Sequence, residues 1–123
     1  LLAFSSKTLL LWCLFLAALR WSLVALFSDY LLVLIFSQLL HAATFGAFHA
    51  AAIDFVHHNF PQHLQGRGQA LYSSASFGIG GTLGSLSSGY LWDSSGATTT
   101  FLIFAASALL AMVILAVGQR RQE

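Results

Sequence analysis

Apolar residues run almost unbroken through four stretches of the chain, and the polar residues between them fall in short clusters. The stretches cover 8–27, 31–58, 69–91 and 98–117. Each has the length or near-length of a helix that crosses a hydrocarbon core, which takes about 20 residues. Backbone polar groups in lipid must be satisfied within the segment, so the pattern predicts helices. Ser28, Asp29 and Tyr30 make a tight turn after the first. The second ends ahead of Pro61, because proline removes a donor and disfavours helix in the residue before it, and 59–68 is expected as a loop. Trp92, Asp93, Ser94, Ser95 and Gly96 supply an interfacial aromatic and a polar turn. From Gly118 a solvated tail, 118–123, is expected. Short connections require antiparallel neighbours. The expected fold is therefore an all-α membrane protein of four antiparallel transmembrane helices, a single partial transmembrane domain over 1–123 with both ends on one side.

Composition supports lipid as the solvent. The chain is 58% hydrophobic and 7% charged, with mean hydropathy +0.80, whereas about a quarter of a soluble domain is charged. A formal net charge of +1 and the lack of a basic stripe interleaved with aromatics give no basis for binding nucleic acid. One cysteine, Cys13, sits in an apolar run, so no intrachain disulfide is possible. Residues 8–19 after Lys7 resemble the apolar core of a signal peptide, but the apolar character continues past Arg20 to Phe27. The start at Leu1, in LLAFSSK, is read as an N-terminal truncation.

The few charges set an orientation. Lys7, Arg67, Arg120 and Arg121 fall on the side shared by the termini and the 59–68 loop, while the opposite turns carry Asp29 and Asp93. The positive-inside rule makes the termini cytoplasmic. Within the third stretch, Gly80, Gly84 and Ser88 recur at intervals of four, as do Gly81, Ser85 and Gly89. In lipid such small residues form a ridge against which another backbone can lie closely. The run GIGGTLG is not read as a nucleotide loop, since no strand, helix start or spaced acidic residue accompanies it.

Arg20 lies thirteen residues beyond Lys7, roughly 20 Å along a helix, in the half of the core away from the charged side. An intramembrane cation normally faces a bundle interior or watery cavity and marks a solute or ion path, although a long side chain can also snorkel to headgroups. His41 reaches a comparable depth on the next segment. At about 100° per residue, Gln38, His41, Phe45, His49 and Ala52 share a stripe, with Thr44 and Phe48 at its edges. Together these side chains suit an organic anion. Arginine pairs with a carboxylate at two points, histidine binds or exchanges a proton, and phenylalanine packs on an apolar body. Ordinary helix packing is the alternative account, especially for His49.

Asp54 lies about a turn inside the charged side and is a candidate cytoplasmic gate with Arg67, capping or solvation being the alternative. His57, His58 and His63 lack the cysteine or carboxylate partners of a structural zinc site, so no metal or cofactor is expected. No nucleophile, base and orienting group occur together, which disfavours an enzyme.

The run QLLHAATFGAFHAAAIDF (38–55), preceded by ALRW (18–21) and followed by RGQALYSSASFGIGGTLGSLSSGYLWDSSG (67–96), resembles the last four helices of the major facilitator superfamily. It looks most like the branch of phenylpropionate permeases and the more distant lactose/proton symporters. The glycine pattern is superfamily-wide, whereas QLLH…TFG is more particular. The resemblance implies a C-terminal fragment, helices nine to twelve of a twelve-helix fold built from two six-helix halves, with a cytoplasmic C-terminus in the bacterial inner membrane. It implies secondary transport of a small organic solute, a carboxylic acid such as a phenylpropionate-like compound, by proton-coupled alternating access. Its implied partners are the lipid bilayer, the missing N-terminal helices, the solute and protons. Arg20 and His41 match an arginine and a histidine that serve coupling and sugar binding in the lactose symporters, while Thr44 stands near where those proteins have a carboxylate. A non-transporting membrane scaffold or receptor module is the alternative.

Overall fold

The computed structural model describes the backbone of residues 6–120 and the side chains of residues 6–118. Helix α1 spans Ser6–Phe27, and the chain reverses through Ser28–Tyr30, where the Tyr30 N–H donates to the Phe27 carbonyl at 3.1 Å. Helix α2, Leu31–Asn59, ends where Phe60 turns extended (φ −110, ψ 138). Phe60 directly precedes Pro61, whose ring drives the preceding residue out of the helical region.

The expected loop 59–68 is much shorter in the structure. Pro61 opens a three-ten turn, Gln62–Leu64, and α3 (Gln65–Ser73) follows at once. Gln65 helps to close it, its side-chain amide donating to the His57 carbonyl at 2.9 Å, near the end of α2 where carbonyls lack helical partners. Arg67 is thus a helical residue. A π-helical segment, Ser74–Gly80, then leads into α4, Gly81–Arg120.

Here the count of helices is corrected. The described residues form three long apolar helical runs, Ser6–Phe27, Leu31–Asn59 and Gln62–Gly118, where the pattern predicts four. The polar cluster at 92–96 is not a loop, because only Gly96 leaves helical geometry (φ 79, ψ 171). Helical bonding resumes on both sides, with the Ser94 hydroxyl donating to the Tyr90 carbonyl and that of Thr100 to the Gly96 carbonyl, each at 2.8 Å. The break nevertheless turns the chain sharply. Nine residues of straight helix rise about 13 Å, yet the Trp92 and Phe101 rings meet edge to face at 5.8 Å. Helical structure continues past Gly118 to Arg120, and of the tail expected over 118–123, residues 121–123 lie outside the described residues.

Partner residues fix the directions of packing. Ser6 donates to the Asp54 carboxylate, while Arg20 and His41 border one cavity, so α1 and α2 are antiparallel. α1 also runs antiparallel to the distal arm of α4. Trp21 stacks on Phe101 and meets Phe104 at a tilt, whereas Thr8, Leu11, Trp12 and Phe15 share a cleft with Met112. α1 buries the small residues Cys13, Ala18 and Ala25 between its two neighbours, Cys13 on the side of α2, and α2 buries Ser37, Thr44 and Ala51. Ser37, Thr44 and Ala51 recur every seven residues, which keeps one narrow face against α1. Leu31, Leu32 and Leu110 are exposed at 69%, 80% and 62%. Apolar surface on that scale marks a contact with lipid or protein.

The glycine ridge is open among the described residues. A β-carbon placed on Gly81, Gly84 or Gly89 would meet nothing within 4 Å, and on Gly80 only the Ala75 carbonyl at 3.3 Å. No other helix of the described residues lies against the ridge. Instead Gly80, Gly81, Gly84, Ser85 and Ser88 border an open cleft of about 400 Å³, walled by Trp21 and Phe104. The close approach occurs at Gly68, where a β-carbon would come within 2.9 Å of Val56 Cγ1 and 3.0 Å of Phe60 Cγ.

Candidate intramembrane anion site

Cys13, Leu14, Ala17 and Arg20 come from α1, and His41, Thr44, Phe45 and Phe48 from α2, to line a cavity of about 150 Å³. Helical spacing puts residues 13, 17 and 20 on one face of α1, and 41, 44, 45 and 48 on one face of α2. Arg20 is 6% exposed, so its guanidinium faces inward. Its Nε is buried without a hydrogen-bond partner among the described residues, and its Cζ lies 3.8 Å from the centroid of the Trp21 ring. No carboxylate lines the cavity. A buried cation without an anion is costly.

Thr44 is buried, and its hydroxyl donates to the Leu40 carbonyl at 2.7 Å, with that of His41 at 3.2 Å. The His41 ring lies 5.8 Å from Phe45, and both side chains are open on one flank. Below about 300 Å³, the lower end for small-molecule sites, a cavity this size holds the charged end of a solute rather than all of it.

The predicted stripe does not stay together. Gln38 is exposed and outside the cavity lining. His49 belongs to a neighbouring aromatic cluster. Its Nδ1 is 3.3 Å from the Tyr72 hydroxyl, its ring stacks on Phe45 with centroids 6.4 Å apart and planes at 3°, and Phe77 of the π segment is 5.9 Å away. Phe45 therefore borders both the cavity and the cluster. The place of Tyr72 against α2 depends on the tight three-ten connection where a loop is expected, and that of Phe77 on the π segment, neither marked in the sequence, while the lining role of Cys13, Leu14 and Ala17 follows from helical spacing back from Arg20.

Asp54 and Arg67 form no ion pair among the described residues. The Asp54 carboxylate accepts from Ser6 and lies 3.3 Å from His58 Nδ1, which also contacts the Asp54 carbonyl at 2.9 Å. Among the described residues no three histidine, cysteine or acidic side chains converge as metal ligands.

Long apolar helices around a sheltered guanidinium and an imidazole define an integral membrane protein with a polar site inside the bundle. Over residues 1–103 the sequence matches the MFS_1 like family, and the chain belongs to that family. Membership implies secondary transport, with a lipid bilayer and a transported solute as partners, and points away from catalysis. No curated protein and no solved structure matches the chain.

Proposed function

We propose that this chain is part of a proton-coupled carrier for a small organic acid, in which Arg20 takes the carboxylate and His41 contributes polarity or exchanges a proton. The observation that carries this reading is the shared cavity. Arg20, buried and without an acidic partner among the described residues, faces the same 150 Å³ space as His41, against the apolar walls of Phe45 and Phe48. Guanidinium binds carboxylate at two points, and imidazole titrates near neutral pH. A phenylpropionate-like compound fits a charged head at Arg20 with its ring along Phe45. The two arms of α4 would each cross the bilayer, making four crossings that correspond to helices nine to twelve of a major facilitator fold. The positive-inside rule favours cytoplasmic termini, and the likeness to bacterial permeases supports placement in a bacterial inner membrane. Alternating access would rock this bundle against an opposing one around a midplane site.

Uptake of radiolabelled 3-phenylpropionate by the full-length protein, measured across pH, tests the assignment. Arg20→Ala is expected to abolish uptake and His41→Ala to change its pH dependence. If both transport like the parent across the whole range, the assigned roles are wrong. The open glycine ridge supports a second reading, a non-transporting scaffold or receptor module whose ridge awaits a partner helix. Liposomes containing the purified protein separate the two, since a scaffold gives neither solute flux nor proton movement.

A further inference from the structure

We propose that Trp21 is the positioning residue for the Arg20 guanidinium, so that anion recognition in the cavity depends on an aromatic stack outside it. Consecutive residues on a helix point about 100° apart and do not normally meet. Arg20 and Trp21 do meet, with the guanidinium carbon 3.8 Å from the indole centroid. The Nε of Arg20 is buried and has no hydrogen-bond partner among the described residues, so the ring face is the compensation its charge receives there.

The indole is itself held. It stacks on Phe101 with centroids 5.5 Å apart and planes at 18°, Phe104 lies 5.5 Å away, and Trp92 meets Phe101 edge to face at 5.8 Å. Trp92 and Phe101 stand on opposite arms of the Gly96 break. The contacts Trp92, Phe101, Trp21 and Arg20 therefore run from that bend to the cavity. Stacking uses the face of a guanidinium and leaves its in-plane N–H edge for a carboxylate, so one residue can be positioned and bind at once. Removing the ring leaves the charge in the cavity but frees its orientation.

This proposal rests on the reading of Arg20 as the anion-binding group, and its test separates the two. In liposomes containing the full-length protein, with 3-phenylpropionate as the probe, Trp21→Leu is expected to raise KM about fivefold or more, and by a larger factor than it lowers turnover. Trp21→Phe, which keeps a ring face, is expected to bring KM back toward the parent value. An unchanged KM in Trp21→Leu overturns the proposal, as does equal impairment of the Leu and Phe variants. A readout free of transport covers a wrong solute or a poorly folded Leu variant. The tryptophan ultraviolet resonance Raman difference between parent and Arg20→Leu should be present, and should vanish when the same pair is made in the Trp21→Phe background. A difference spectrum that is absent, or that persists without Trp21, overturns the proposal even where uptake of the probe has already failed.

Discussion

At Gly68 a hydrogen stands where a methyl group would press on Val56 and Phe60, at 2.9 and 3.0 Å. Val56 is buried and β-branched, with little rotamer freedom to retreat. Gly68→Ala should therefore destabilise the protein by about 1–3 kcal/mol, the usual cost of overpacking. Gly84→Ala, which meets nothing within 4 Å, should be neutral or slightly stabilising because alanine is the better helix former. Thermal unfolding of the two variants of the full-length protein in detergent measures the contrast, and equal melting temperatures would refute it. The two glycines also show what the sequence could and could not disclose. Depth along a helix follows from a fixed rise per residue, so Arg20 and His41 could be matched before any contact was known. Rotation about the axis could not be read in the same way. Helices that are apolar all round carry no polar face to orient them, and so the stripe predicted from spacing includes Gln38 and His49, which do not line the cavity.

Among the elements, the longest helix is interrupted at one residue. The Gly96 φ of 79 with ψ of 171 belongs to a region that only glycine occupies comfortably. Gly96→Ala should cost about 1–3 kcal/mol and shift the solubilised full-length protein toward aggregation, visible as lost monodispersity on size exclusion. An unaltered elution profile and melting temperature would remove the bend from the list of determinants. The polar run Asp93–Gly96 reads as a loop from composition, because serine, aspartate and glycine are turn residues. Ser94 instead returns its hydroxyl to its own helix, and helical structure persists up to the glycine. The π segment Ser74–Gly80 was equally hidden, being a change of hydrogen-bond spacing without a compositional mark. It is wider than an α-helix by about one residue per turn, so deleting Ser76 should let it close as α-helix and preserve folding. Deleting Leu86, in regular helix, should rotate one side by about 100° and impair folding. Yield and monodispersity of the two deletions decide this, and equal damage would count against it.

For the whole molecule, the antiparallel pairing of α1 with α2 brings Ser6 to Asp54 at one end and leaves Asp29 at the other. Labelling of cysteines placed at 29 and 63 with a membrane-impermeant maleimide should therefore differ by side, position 63 reacting only from the cytoplasm. Labelling of both from one face would contradict the proposed topology. That the chain is all-α and lipid-facing was legible because 58% apolar composition leaves too little polar surface to meet water. That the third apolar run would be drawn through Gly96 was not, since one residue is enough to turn a helix.

Cys13 lines the same space as Arg20 and is 4% exposed. Because only an ionised thiol attacks methanethiosulfonates, and it ionises in contact with water, this side chain is a natural gauge of hydration next to the guanidinium. Its rate of modification would track each opening of the site toward solution and would slow while a bound anion fills it.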